Sequence, residues 1–182
     1  MGIPTLITAT NATSNVTEID FSSNITSAYD HYMFVFINID HAGSEVEFQF
    51  QVNATDDDGG DYDVSLITTS LFFAMKQPTE DETYDKMGYS TAHDLAQSAN
   101  FVTLGFDSSN GATDTYDGIM HLFNPASTTY VKHFYSRVLA GGVAKDVFGG
   151  GYINDTTAID DIRFKMSDGG NFTGSIHMYG IS

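Results

Sequence analysis

The chain has no cysteine and no tryptophan, only three prolines, and seven basic residues among 182. Without cysteine, neither a disulfide framework nor a thiolate-bound metal holds the fold, which leaves packing and association. Seven Lys and Arg stand against 24 Asp and Glu, giving a formal charge of −17 and an isoelectric point near 4.2. A chain so acidic repels DNA unless a basic patch interrupts it, and the sequence holds no such patch. No apolar run approaches the ~20 residues that cross a bilayer. The opening Met1-Gly-Ile-Pro-Thr-Leu-Ile lacks the basic region and apolar run of a secretory signal. Leu6 stands where an N-myristoylation motif requires Ser or Thr. These absences predict a soluble chain with no membrane and no nucleic-acid partner.

Hydrophobic residues make up 41% of the chain and aromatics 13%, with 14 Phe and 10 Tyr. That is enough for a core, and it favours strands. The length suits a single domain over 1–182. From Glu45 to Asn53 the chain alternates, with Val46, Phe48, Phe50 and Val52 on one side and Glu45, Glu47, Gln49, Gln51 and Asn53 on the other. This is the period of a half-exposed antiparallel strand. His31 to Ile39 is apolar at nearly every position and reads as a central strand covered on both faces. A hairpin loop at His41-Ala42-Gly43-Ser44 is expected to join the two.

Near the end, Ile162, Phe164 and Met166 alternate with Asp161, Arg163 and Lys165. Ser167-Asp168-Gly169-Gly170-Asn171 reads as a turn, and Thr173 to Ile181 as the returning strand of a hairpin. Further strands are expected at Thr5–Thr10, Asn15–Phe21, Asp63–Met75, Asn100–Phe106, Thr113–Asn124, Tyr130–Leu139 and Lys145–Asn154. A turn at 11–14 separates the first two, and the N-terminal strand is expected beside the C-terminal one. Asn124-Pro125-Ala126-Ser127 is a turn with Pro where it pre-sets φ. About eleven strands with short turns and little helix predict an all-β, antiparallel two-sheet sandwich of jelly-roll type. The long interruption, about 76–99, holds Pro78, the acidic Glu80, Asp81 and Glu82, and one or two helical turns capped by Ser90 or Thr91. A loop of this length is the expected contact surface.

Few patterns carry chemistry. Asp56-Asp57-Asp58-Gly59-Gly60-Asp61 offers carboxylates to calcium, but Gly60 falls at the fifth loop position and no Glu stands at the twelfth, so a solvated turn is expected. The six histidines, His31, His41, His93, His121, His133 and His177, have no ligand spacing. Asp160 and Asp161 are adjacent on a strand and point to opposite faces, which rules them out as a glycosidase pair. No Gly-x-Ser-x-Gly elbow is present. Gly141-Gly142 and Gly149-Gly150-Gly151 bracket a strand and mark bulges or close backbone approach; no Lys-Ser/Thr and no helix follow them, as a phosphate loop requires. Glycosylation sequons at Asn11, Asn15, Asn24, Asn53, Asn154 and Asn171 read as by-products of an Asn/Thr-rich composition. No catalytic, cofactor-binding or metal-ligating residue is expected, and no cofactor. Tyr84, Tyr89, Tyr116 and Tyr152, in or near loops, leave a carbohydrate-binding module as an alternative, weakened by the lack of Trp.

The Ile159-Asp-Asp-Ile-Arg-Phe-Lys-Met166 strand, the Gly/Asn turn and the closing Gly174-Ser-Ile-x-x-Tyr-Gly180 resemble a family of small virion structural proteins of marine, notably cyanobacterial, bacteriophages. Asp20-Phe-Ser-Ser-Asn-Ile-Thr-Ser-Ala-Tyr-Asp-His-Tyr32, then Val46 to Asn53, then Asn124-Pro-Ala-Ser-Thr-Thr-Tyr-Val-Lys-His-Phe134 are similar to that family in the same order. Residues 76–98 and 139–145 match nothing in it. The resemblance implies an all-β, jelly-roll-like virion subunit with no catalytic residues to carry over. The expectation is a non-enzymatic exterior capsid decoration or cement protein, stabilising the shell through contacts with copies of itself, as a homo-oligomer such as a trimer, and with the major capsid protein. The alternatives are a tail or tail-fibre component contacting tail proteins, or a receptor-adhesion module binding a host surface glycan. Either way the subunit belongs on the outer surface of the virion, away from packaged genome, after assembly in the host cytoplasm.

Overall fold

The computed structural model describes residues 2–41, 43, 45–57, 62–63, 65–76, 85–106, 114–141 and 144–182, the side chain of Ser14 excepted. Among the described residues the regular elements are all strands: β1 (Thr5–Val16), β2 (Glu18–Phe21), β3 (His31–His41), β4 (Phe48–Ala54), β5 (Ile67–Lys76), β6 (Lys86–Tyr89), β7 (Val102–Gly105), β8 (Thr115–Phe123), β9 (Lys132–Ala140), β10 (Ala144–Ile153), β11 (Ile159–Met166) and β12 (Phe172–Ile181). They build an eight-stranded sheet, β1-β12-β3-β8-β9-β10-β5-β6, and a four-stranded sheet, β2-β11-β4-β7. Every pairing is antiparallel. The two-sheet sandwich is therefore the one the alternation predicts, and β1 lies beside β12 as expected.

Consecutive strands pair within a sheet only at β5–β6, β8–β9 and β9–β10; every other connection crosses between the sheets. In the smaller sheet, early strands interleave with late ones, which is the Greek-key winding of a jelly roll. This corrects both expected hairpins. β3 and β4 lie in different sheets, as do β11 and β12, so each pair is joined by a crossing from one sheet to the other and not by a hairpin. The turn at 167–171 has the predicted chemistry: Gly169 sits at φ 69, and the Asp168 carboxylate accepts from the Gly170 N–H at 2.8 Å. Hairpin and arch bury the same alternate residues, so periodicity alone does not separate them.

Other expectations shift locally. β1 runs unbroken through the turn expected at 11–14, and the chain changes sheet at Thr17. β3 is central in its sheet but covered on one face only, with Tyr32, Phe34, Phe36 and Ile39 buried and the residues between them part-exposed. Gln51 and Asn53, assigned to the solvent side of β4, are buried. The expected helical turn after Ser90 is a string of turns ending in a bridge from Ser98 to Ile67. Gly149–Gly151 lie inside β10, not beyond it, and the close approach is real: a Cβ on Gly151 would fall on the Thr68 carbonyl of β5.

The core is aromatic. Phe164 of β11 is fully buried and meets Phe21, Phe34, Phe36, Phe48 and Phe50 at ring centroids of 5.3 to 6.3 Å. Each such ring contributes about 2–3 kcal/mol by leaving water. Two lysines are inside as well. Lys132, in phase with Phe134 and Val138 on β9, has no exposed surface; its ammonium donates to the carbonyls of Asp155 (3.0 Å) and Thr157. Lys145, in phase with Val147, lies over the Phe106 ring at 4.6 Å.

Candidate functional site

The outer face of the four-stranded sheet is polar in every strand: Glu18 and Asp20 on β2, Asp161, Arg163 and Lys165 on β11, Gln49, Gln51 and Asn53 on β4, and Thr103 on β7. Arg163 holds Asp20 in a fork, Nε and Nη2 both at 2.7 Å, reaches Glu18 at 3.3 Å, and lies 4.5 Å over the Tyr62 ring. Bidentate geometry of this kind is the strong form of an ion pair. Burial, reinforced by Asp20 and Asp161, holds the Tyr62 hydroxyl well above the usual tyrosine range. Part of this face lies under Tyr62, Asp63 and Ser65 and under chain from 90–101. The Gln51 amide donates to the carbonyls of Ala99 (3.0 Å) and Asn100 (3.2 Å), tying the second segment to β4.

Between that segment and the sheet opens a cleft of about 470 Å³, lined chiefly by Glu47, Gln49, Tyr62, His93, Asp94 and Phe101. Here the fold gathers side chains that are far apart in sequence. Ser90 Oγ is 2.6 Å from His93 Nδ1, and His93 Nε2 is 3.4 Å from Glu47 Oε1. Glu47 Oε2 accepts from Thr103 Oγ1 (2.6 Å) and Gln49 Nε2 (2.9 Å). The His93 contact, with these hydrogen bonds, outweighs burial and holds the Glu47 carboxyl down at about 2. A row of serine, histidine and carboxylate has the composition of a nucleophile relay. Its placement differs: Ser90 is buried, does not line the cleft, and its N–H donates to the Leu71 carbonyl. The His93 ring is stacked on Phe106 at 4.2 Å. The row clamps the 90–101 segment to the sheet. Sequence reading missed it because its members come from two stretches more than forty residues apart, the 90–101 segment and the start of β4; Glu47, in phase with Gln49 and Gln51, was the only visible signal.

The eight-stranded sheet presents the opposite surface. Its outward residues include Met33 and Val35 (β3), Ile119, His121 and Phe123 (β8), Tyr135 and Leu139 (β9), Phe148 (β10), Phe72 (β5), Met87 and Tyr89 (β6), and Tyr179 (β12). Met87 is 76% exposed, Leu139 51% and Tyr135 46%. Phe72, Phe148 and Tyr89 form one ring cluster; His31, His121, Phe123 and Tyr135 form another. His31 Nε2 and His121 Nδ1 face each other at 2.6 Å, so one imidazole donates to the other. Burial pushes both histidines below the usual range. The charges on this face, Asp40, Asp117, Arg137 and Asp146 with Lys76 at the end of β5, lie toward one end, where Arg137 grips Asp146 through Nε at 3.0 Å and Nη2 at 2.5 Å.

The remaining sequence candidates do not converge. Tyr116 is buried and donates to the Val46 carbonyl, Tyr89 donates to Asp94, Tyr152 accepts from Gln97 at 3.0 Å, and Tyr84 lies outside the described residues. Of the acidic loop, Asp56 and Asp57 serve the backbone and side chains nearby, with Asp57 accepting from the Ala54 N–H at 3.1 Å and Asp56 from Thr157 Oγ1 at 3.1 Å; residues 58–61 lie outside the described residues. So do Glu80, Asp81 and Glu82. Among the described residues no three His, Asp or Glu side chains are placed to hold a metal ion, and no helix is long and apolar enough to cross a membrane.

All seven basic side chains are engaged within the chain. Lys76 pairs with Asp85, Lys86 and Lys145 lie against Phe73, Lys132 meets carbonyls, Arg137 meets Asp146, Arg163 meets Asp20, and Lys165 lies 4.0 Å over Phe101. No family model matches the chain, and neither does any curated protein or solved structure.

Proposed function

We propose that this chain is a non-enzymatic structural subunit of a bacteriophage virion, decorating the exterior of the capsid and stabilising it through surface contacts. The observation that carries this reading is the outer face of the eight-stranded sheet. Strands ~4.8 Å apart and like-facing residues ~6.7 Å apart give that face roughly 35 by 25 Å, about 800–900 Å². A stable protein interface buries about 800 Å² per partner, with aromatic and Met side chains enriched. A face of this size that exposes Phe72, Met87, Tyr89, Tyr135 and Leu139 in so acidic a chain fits docking on another protein, and the shell is the partner that the family resemblance suggests. The formal charge of −17 and the scattering of the seven cations, with no basic patch, support an exterior position away from packaged nucleic acid.

Quantitative mass spectrometry of purified particles tests the assignment. Capsid decoration requires the chain at high copy number, whereas a few to tens of copies would move it to the tail. Absence from particles would end the virion reading.

The cleft beside Glu47 favours a second reading, a glycan-binding module, because it sets carboxylate and amide groups next to the rings of Tyr62 and Phe101. Both rings already carry a cation, Arg163 and Lys165, which leaves less aromatic surface for a sugar. A glycan array without binding, with or without calcium, would remove this reading.

A further inference from the structure

We propose that β1 is a pairing edge for a second copy of this chain, the two β1 strands meeting antiparallel about a two-fold axis to join their eight-stranded sheets. The inference takes up the self-association expected from the sequence, as a two-fold dimer in place of the trimer named there, and does not depend on the virion assignment. It starts from a contrast among the sheet edges. Exposed edges are usually blunted by shortness, charge or proline, because their open N–H and C=O groups template another strand. β6 is four residues long and begins with Lys86; β2 is four residues long and carries Glu18 and Asp20; β7 is four residues long and lies beside the 90–101 segment. β1 is neither short, charged nor interrupted by proline, and its two irregularities of register leave a regular run between them. It runs twelve residues, TLITATNATSNV, without a charge or a proline, and among the described residues no strand pairs with its far side.

Charge permits a second copy as the occupant. Two copies each carrying −17 repel wherever carboxylates meet, and β1 is a long stretch where they do not. The register selects the geometry. β1 is regular against β12 from Thr8 to Ala12, between two irregularities. A two-fold axis through the middle of that run sets Thr10 opposite its own copy and Ala9 opposite Asn11, and threonine pairs are among the favourable cross-strand contacts. The same axis carries the exposed Leu6 of the second copy toward a groove of about 590 Å³ between β1, β12 and β3, lined by Asn11, Thr13 and Ile37.

The absence of cysteine makes the test clean. In ~0.5 M salt, where the screening length is only a few ångström, the chain is expected to sediment at about twice 19.8 kDa. Thr10→Cys should give a disulfide-linked dimer under mild oxidation, and Met87→Cys on the opposite edge should not. Ala9→Asp with Asn11→Asp sets like charges opposite each other and should shift the mass to a single copy, with an unchanged circular dichroism spectrum. A wild-type chain that sediments as one copy overturns the proposal, as does a dimer that survives the double substitution or cross-links through Met87→Cys. None of these results touches particle mass spectrometry, so failure of the edge and failure of the virion assignment are read separately.

Discussion

The two outer faces of the sandwich are built on the same alternation yet solve opposite problems. On the four-stranded sheet every outward position is polar, Arg163 and Glu47 tie neighbours together, and Gln51 holds a segment of chain over the strands. On the eight-stranded sheet many outward positions are rings and aliphatic chains, with Met87, Leu139 and Tyr135 well exposed; the charges gather toward one end, and Gln97 reaches over only the Thr68 and Tyr152 corner. The smaller face therefore contributes to the stability of the single chain, and the larger one is free to contribute elsewhere. Substitutions should separate these roles.

The largest effect belongs to neither outer face. Phe164→Ala, between the two sheets, should cost about 4 kcal/mol in denaturant unfolding, because five neighbouring rings cannot all collapse into the space. It sets the scale for the rest. Next comes acid. The Glu47 carboxyl is held down at about 2 against an ordinary 4.5. Its stabilising share is thus fully present above pH ~4.5 and drains as pH falls toward 2, on the order of 2–3 kcal/mol. Unfolding curves taken down that limb should flatten in Glu47→Gln; an unchanged limb would mean that the clamp contributes nothing. Arg163→Ala should follow at about 1–2 kcal/mol, from losing the fork on Asp20 and the cover over Tyr62.

The larger face should yield smaller effects on the isolated chain. His31 and His121 are both pushed down by burial, so the neutral pair stabilises the fold above about pH 6.5 and that share is lost as pH falls below it. His31→Phe with His121→Phe should remove this step from a thermal melt. Smallest of all, Leu139→Ser or Tyr135→Ser should change stability by less than about 0.5 kcal/mol while weakening attachment to particles measured by co-sedimentation. A Leu139→Ser loss of several kcal/mol would erase the contrast between the faces.

Much of the strand inventory was legible because the period of two survives in Val46 to Val52 and in Ile162 to Met166, whose apolar members are buried as the alternation predicts. What was not legible is pairing. A short Gly-containing connection between two alternating strands serves a hairpin within one sheet or an arch between two, and the choice depends on strands distant in sequence. The buried lysines had a signal that went unread: Lys132 and Lys145 each sit in phase with apolar neighbours on their strands. The Ser90, His93 and Glu47 row had almost none, since it exists only once 90–101 folds over β4. The outer apolar face was hidden for a different reason. Sequence alternation marks one side of each strand as polar, but Tyr135, Phe148 and Phe72 occupy the supposed water side beside equally apolar inward residues.

The winding also dictates a timetable. β1 and β2 leave the ribosome long before β12 and β11, yet β12 is the strand that binds β1 to β3, and β11 the one that binds β2 to β4. Each sheet thus waits for a strand made much later in the chain before its first strand has a neighbour. Until then the nascent chain carries the unclaimed, uncharged dozen residues of β1, a period in which crowded polysomes rather than finished molecules would decide which copies find each other.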